Sequence, residues 1–164
     1  MKRVILMSAV ALAALASDGL FAGSAANMPE SASAADKAKS LWTEDIDGAF
    51  KTAAKDKKPV FVNFTGSDWC YWCILADKNI FSTGQWEKFS KKMVCLKVDF
   101  PKNGRPDAET MSKRFALAKQ FGVRGYPTFV LLSPERKELA RPRAGRKAAS
   151  EFIAEIDKAL KEGK

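Results

Sequence analysis

The sequence predicts an α/β fold in which one mixed sheet of four to five strands is flanked by helices. Short runs rich in β-branched and aromatic residues alternate with longer stretches whose apolar residues recur at helical spacing. No internal repeat interrupts this alternation, and the 164-residue chain is 46% hydrophobic. That is enough apolar sequence for one domain with its own core.

Residues 1–26 are predicted to be a cleaved signal peptide. Lys2 and Arg3 precede an uncharged apolar run over 4–16, and small residues follow it. The run is short for a transmembrane helix, although an uncleaved membrane anchor is the alternative. We therefore expect a periplasmic or secreted protein, with a flexible leader over 27–40 and the folded domain over 41–164.

Five elements are predicted between residues 45 and 99. The first is a helix, because Ile46, Ala49, Phe50 and Ala53 follow i, i+3, i+4, i+7 spacing. Each later element begins at a local signal, such as a proline before a strand or a capping threonine before a helix. In chain order they are a helix over 45–56, a strand over 60–64, a helix through 74–78, a helix from Thr83 to about Lys91, and a strand over 93–99.

The second half of the domain is predicted to contain two helices and two strands. Pro142 fits an edge strand but not a central one. The helix over 107–121 has Ala108, Met111, Phe115, Ala118 and Phe121 along one side. It is followed by a strand over 128–132, a turn over 133–137, an edge strand over 138–143, and a helix over 148–161 with Phe152, Ile153, Ile156 and Leu160 inward.

Composition narrows the chemistry to thiols. The chain has three cysteines and no histidine, which excludes Cys-His and Ser-His nucleophile pairs and His-ligated metal or haem sites. The net charge is +9, but the basic residues are scattered through 51–58, 88–97 and 136–147. We therefore expect no nucleic-acid partner, while an acidic partner or an anionic membrane surface stays open.

Cys70 and Cys73 lie where a predicted strand passes into a predicted helix. Two cysteines at this spacing can close a small disulfide ring. The first thiol would sit at a helix N-terminus, where unpaired N–H groups and the helix dipole favour a thiolate. Half of a zinc site has the same spacing, so the pair alone leaves redox and metal chemistry open.

Three signatures in order resolve this choice. They are Trp69-Cys70-Tyr71-Trp72-Cys73, the strand ending in Val98-Asp99, and Phe121-Gly122-Val123-Arg124-Gly125-Tyr126-Pro127-Thr128. With them the chain resembles the thioredoxin superfamily over residues 41–162, and most of all its exported bacterial thiol:disulfide interchange proteins. The resemblance implies a thioredoxin-like fold, no metal and no cofactor.

The resemblance also implies a role for each site residue. Cys70 would be the exposed attacking nucleophile and Cys73 the more buried resolving thiol of a redox-active disulfide. Pro127 would be cis beside that disulfide, leaving the Tyr126 backbone to pair with an extended substrate. Trp69, Tyr71, Trp72 and Tyr126 would form an apolar rim that binds cysteine-containing protein substrates.

Two positions depart from the family pattern. Asn63 stands where many thioredoxins have a proton-relaying aspartate, and asparagine cannot take up a proton. Cys95 falls about where the family often has a lysine, and we expect it to be a buried small hydrophobe rather than a third redox thiol. Asp68 or water could replace the relay, although Asp68 also fits a turn or cap.

The predicted function is that of an exported thiol-disulfide oxidoreductase. Strongly oxidising relatives usually carry a histidine between the cysteines, whereas this chain has Tyr71-Trp72. The pair is therefore expected to reduce or isomerise disulfides, as a monomer, with electrons from a separate membrane donor. The alternatives are a non-catalytic binding module with a structural disulfide, and a soft-metal carrier using Cys70 and Cys73.

Overall fold

A five-stranded mixed sheet forms the centre of the computed structural model, which describes residues 41–163. The predicted signal peptide and leader lie outside the described residues. In chain order the elements are β1 (Trp42–Thr43), α1 (Ile46–Asp56), β2 (Val60–Thr65), α2 (Tyr71–Ala76), a π-helical turn (Asp77–Phe81), α3 (Gly84–Ser90), β3 (Val94–Asp99), α4 (Ala108–Gln120), β4 (Thr128–Leu132), β5 (Glu138–Ala140) and α5 (Ala149–Glu162).

The strands lie in the order β1-β3-β2-β4-β5. The strands β1, β3 and β2 are parallel, while β4 runs antiparallel to β2 and β5 antiparallel to β4. The central strand β2 is buried along its whole length, which explains its nearly continuous apolar sequence. Its carboxyl end leads into the loop that carries the two cysteines, so a central and fully buried strand positions the site.

Helices cover both faces of the sheet. One face packs α1 and α4 against alternate residues of the strands, including Val62 and Leu96. The other face packs α2, the π-helical turn, α3 and α5 around an aromatic cluster in which Phe61, Phe81 and Trp86 are fully buried. The predicted α/β class is confirmed, and no helix within residues 41–163 has the length and apolar character to cross a membrane.

Side-chain caps begin three of the helices, and the cap at Thr83 was predicted. Asp45 accepts from Gly48 N–H, Thr83 from Trp86 N–H, and Asp107 from Thr110 N–H, each as the N-cap of its helix. These bonds satisfy N–H groups that the first turn of a helix leaves unpaired.

Two elements were not predicted. The strand β1 has only two residues, which pair with Cys95 and Leu96 of β3. The π-helical turn Asp77–Phe81 continues α2 and places Ile80 and Phe81 in the aromatic cluster. In addition, the edge strand predicted over 138–143 ends at Ala140, so Pro142 lies beyond the observed β5 and is buried.

Two residues of the apolar side predicted for the helix over 107–121 lie outside the core. Phe115 is 57% exposed and Ala108 is also exposed, whereas Arg114 is buried at 3%. The Arg114 guanidinium donates to Asp99 O and to the Glu44 carboxylate at 2.7 Å. These bonds pair two of the three guanidinium nitrogens, while Arg114 Nε has no hydrogen-bond partner among residues 41–163. With its charge paired to the Glu44 carboxylate, the arginine lies inward and the phenylalanine outside.

Candidate active site

Cys70 and Cys73 form a disulfide at the N-terminus of α2, with their Cα atoms 5.2 Å apart. Cys70 is the N-cap residue, and its Sγ accepts a hydrogen bond from Cys73 N–H at 3.2 Å. The first turn of α2 therefore directs a backbone donor at the Cys70 sulfur. A donor in that position stabilises negative charge on Cys70 Sγ when the disulfide is opened.

The expected difference in cysteine exposure is not found in the disulfide form. Cys70 is 6% exposed and Cys73 is 4% exposed. The loop before the pair folds tightly, since Trp69 N–H and Cys70 N–H both donate to Gly66 O. In this form each sulfur also covers the other, so the two residues are almost equally buried.

Apolar side chains surround the buried disulfide and remain open to solvent. Trp69, Tyr71 and Trp72 are 41%, 69% and 44% exposed, and the Tyr71 and Trp72 rings meet edge to face at 5.3 Å. Ile74, which sequence reasoning did not include, is 48% exposed one turn into α2. Its helical spacing from Tyr71 is the signal that could have found it.

Trp69 is held in place from three sides. Its Nε1–H donates to Phe100 O at 2.8 Å, and its ring packs edge to face on Tyr126 at 5.9 Å. On the third side lies Gly66, where an added Cβ would come within 2.4 Å of the indole. Glycine at this position allows the indole to lie directly against the backbone.

The Tyr126-Pro127 peptide bond is cis, as the resemblance implied. Tyr126 is half-buried, and this burial raises the pKa of its hydroxyl. Its ring also packs against Phe100 at 5.1 Å. The structure therefore brings Trp69 and Tyr126 into contact, while Trp72 and Pro127 line one groove beside the disulfide helix.

The two departures from the family pattern lie on the same face of the sheet. Cys95 is paired in register with Phe61, and Asn63 lies two residues further along β2. Both are buried, and Asn63 Oδ1 has no hydrogen-bond partner among residues 41–163. Burial raises the pKa of the Cys95 thiol to about 12, so this thiol stays neutral near pH 7.

Asp68 accepts hydrogen bonds from the loop that follows β3. Its carboxylate accepts from the backbone N–H groups of Lys102 and Asn103 and from the Asn103 side chain. The two backbone donors lower the pKa of Asp68. These bonds give Asp68 a structural role, but they join it to a loop about thirty residues further along the chain rather than to its own turn or to a helix start.

Asp99 is a site residue that sequence reasoning noted only as the end of a strand. It is buried, and its carboxylate accepts from Ser67 N–H at 2.9 Å and from the Ser67 hydroxyl. Lys97 Nζ lies 4.0 Å away. Asp99 thus joins the end of β3 to the loop that carries the cysteines. A carboxylate at the end of a buried strand is the sequence feature that could have indicated this role.

A groove of about 510 Å³ lies beside the cis-proline turn. Trp72 and the turn form one part of its wall, and the loop after β5 forms the other. Three arginines line it: Arg124, Arg141 and Arg143. Sequence reasoning missed this groove because its walls are far apart in the chain.

Among residues 41–163, no three side chains of Asp, Glu, Cys or His come together as a group that could hold a metal ion. Cys70 and Cys73 are the soft ligands named from the sequence, and here they are bonded to each other.

Comparison with known proteins agrees with the fold. A family model described as a thioredoxin-like domain matches residues 46–160. The disulfide bond reductase DsbH of Chlamydia pneumoniae is 31% identical over 125 residues, covering 76% of this chain and 75% of that protein. A solved structure of a DsbH oxidoreductase is 30% identical, with a TM-score of 0.69 over 73% of this chain and 83% of that one. The reduced C-terminal domain of Neisseria meningitidis DsbD shares the fold, at 22% identity and a TM-score of 0.55 over 70% of this chain and 93% of that one.

Proposed function

Because the chain belongs to the thioredoxin-like family and is a thiol-disulfide oxidoreductase, we propose that it reduces or isomerises disulfides of exported proteins, with Cys70 as nucleophile and Cys73 as resolving thiol. The observation that carries this proposal is the 3.2 Å hydrogen bond from Cys73 N–H to Cys70 Sγ at the start of α2. It distinguishes Cys70 as the sulfur on which negative charge is stabilised.

The reaction starts from the dithiol form. The Cys70 thiolate attacks one sulfur of a substrate disulfide, which forms a mixed disulfide and releases the other substrate sulfur as a thiolate. Cys73, as its thiolate, then attacks Cys70 Sγ, closing the protein disulfide and releasing the second substrate thiolate. Two electrons pass to the substrate, and the proton of Cys73 leaves to water because Asn63 cannot accept it.

The rim residues would bind the substrate during this exchange. Trp69, Tyr71 and Trp72 expose apolar surface around the disulfide, and the cis Tyr126-Pro127 turn leaves backbone groups beside it. An extended substrate segment can pair with the Tyr126 backbone as an added strand does. This arrangement suits cysteine-bearing segments that are not yet folded.

Two arguments support the reducing direction. The pair Tyr71-Trp72 supplies no cation between the cysteines, so the Cys70 thiolate is stabilised mainly by the helix N-terminus. The relative at 31% identity is named a disulfide bond reductase. Outside the cytoplasm such a reductant needs its electrons from a separate membrane donor, and export depends on the proposed signal peptide.

The decisive experiment measures both chemistry and direction. The Cys73→Ser variant should accumulate a mixed disulfide with a cystine peptide, visible by mass spectrometry, whereas Cys70→Ser should not. A reduction potential near about −270 mV would agree with a reductant, while a value near about −120 mV would refute that direction. Failure of Cys70 and Cys73 to cycle reversibly would refute the proposed activity itself.

A further inference from the structure

The groove beside the cis-proline turn carries more positive charge than the neighbouring ion pairs neutralise. It is lined by Arg124, Arg141 and Arg143, and no Asp or Glu from the described residues 41–163 lines it. Arg141 is engaged, since it bonds both carboxylate oxygens of Glu138 and donates to Phe121 O at 2.6 Å. Its charge is balanced, and its position is fixed.

The other two arginines are available. Arg124 and Arg143 are exposed, and no carboxylate of residues 41–163 lies within salt-bridge distance of either. Arg124 comes two residues before Tyr126, and Arg143 lines the same groove from the loop after β5. Two uncompensated guanidinium groups therefore face one concave surface next to the place where we propose that substrate binds.

We propose that this groove selects acidic polypeptide segments, in which Asp or Glu flanks the reactive cysteine. The inference rests on the proposed function, because it names the substrate class of that same site. Guanidinium groups bind carboxylates through paired hydrogen bonds, and complementary charge accelerates encounter as well as strengthening binding. A concave groove that also contains Trp72 and the cis-proline turn fits an extended peptide better than a flat membrane surface.

Selectivity from charges in one groove can be distinguished from general attraction by the net charge of the protein. With a net charge of +9, the whole molecule attracts any anion weakly, but that attraction is spread over the surface and screened by salt. Two exposed ion pairs of ordinary strength together amount to about a five- to tenfold preference. The preference should depend on Arg124 and Arg143 and not on lysines elsewhere.

The test uses three cystine peptides that differ only beside the cysteine, with Asp-Glu, Asn-Gln or Lys-Lys. The reduced protein should react with the acidic peptide about five- to tenfold faster than with the neutral one, and slowest with the basic one. The double variant Arg124→Gln/Arg143→Gln should bring the three rates within about twofold. Arg124→Glu/Arg143→Glu should reverse the order.

A matched control removes the same net charge elsewhere. Lys51 and Lys55 are exposed on α1, across the sheet from the groove. Lys51→Gln/Lys55→Gln should keep the preference for the acidic peptide; if it loses the preference equally, net charge is responsible and the groove proposal is overturned. Equal rates in the unaltered protein, or arginine-dependent binding to phosphatidylglycerol vesicles without peptide selectivity, would also overturn it.

A second readout separates this proposal from the proposed function. Peptides with serine in place of cysteine cannot react, so their binding to the oxidised protein is followed through the amide NMR signals of Arg124 and Arg143. If no cystine peptide is reduced but the acidic serine peptide shifts these signals at lower concentration than the neutral one, the activity fails and the groove proposal stands. If peptides are reduced without charge preference, the activity stands and the groove proposal fails.

Discussion

Substituting Gly66 by alanine is expected to destabilise the domain through Trp69 alone. The new Cβ would lie 2.4, 2.6 and 2.7 Å from three indole atoms, whereas ordinary contacts begin near 3.4 Å. The indole must therefore retreat by roughly 1 Å, which stretches its 2.8 Å bond to Phe100 O beyond hydrogen-bond range. The lost hydrogen bond costs about 1 kcal/mol, and overpacking costs about 1–3 kcal/mol. Because the partly exposed ring can move outward, the overpacking cost stays in the lower part of its range, and the expected loss of stability is about 2–3 kcal/mol.

Chemical unfolding measures this loss directly, and a double-mutant cycle assigns its cause. Trp69→Ala removes the ring that the new Cβ would meet, so Gly66→Ala should cost little in that background. Gly84→Ala is the matched control, because nothing lies within 4 Å of its added Cβ. If Gly66→Ala costs as much without the indole as with it, the clash is not the cause and the reasoning is refuted.

Three further predictions concern buried polar groups. Burial raises the pKa of the Cys95 thiol to about 12, from 9.0 in the unfolded chain. Between pH 9 and pH 12 only the unfolded thiol ionises, so the free energy of unfolding should fall by up to about 1.4 kcal/mol for each pH unit. Cys95→Ala should lack that part of the fall in urea titrations at pH 9 and 10.5, and an equal fall in both proteins would contradict it. Asn63→Asp buries a carboxyl with a raised pKa, so stability should drop by about 3 kcal/mol as pH rises from 4 to 7; a flat profile would show that the carboxylate finds a partner. Arg114→Met should cost about 2–4 kcal/mol in thermal unfolding, whereas Glu44→Gln should cost under about 1 kcal/mol because Glu44 is half exposed; equal losses would contradict this assignment.

Local patterns predicted most of the fold. The helices and the longer strands follow from apolar spacing and caps, as with Ile46, Ala49, Phe50 and Ala53 in α1 and Thr83 before α3. The strand β1 could not be predicted this way, because two residues contain no periodicity and exist as a strand only through β3. The exposure of Phe115 could not be predicted, because apolar spacing does not reveal that the neighbouring Arg114 is buried and bonded to β3 and to Glu44 before α1.

The candidate site was likewise predictable where it consists of local motifs and unpredictable where it depends on contacts between distant segments. The cysteines and the cis-proline turn lie in short motifs, so their residues could be named from the sequence. The bond from Trp69 to Phe100 O and the bond from Ser67 to Asp99 join segments about thirty residues apart. The basic groove likewise depends on the loop after β5 reaching the cis-proline turn, which no local pattern encodes.

The shortness of the outer strands has a consequence for self-association. At one border of the sheet β1 has two residues, and at the other β5 has three, soon followed by Pro142. Open sheet borders recruit other chains into aggregates, and short strands ended by proline offer few free N–H and C=O groups for this. A foreign extended chain therefore finds few pairing groups on β1 or β5 themselves, and the backbone beside Tyr126 is the place where we propose that a substrate segment adds. Outer strands as short as β1 and β5 limit the surface on which the sheet itself could extend into an aggregate.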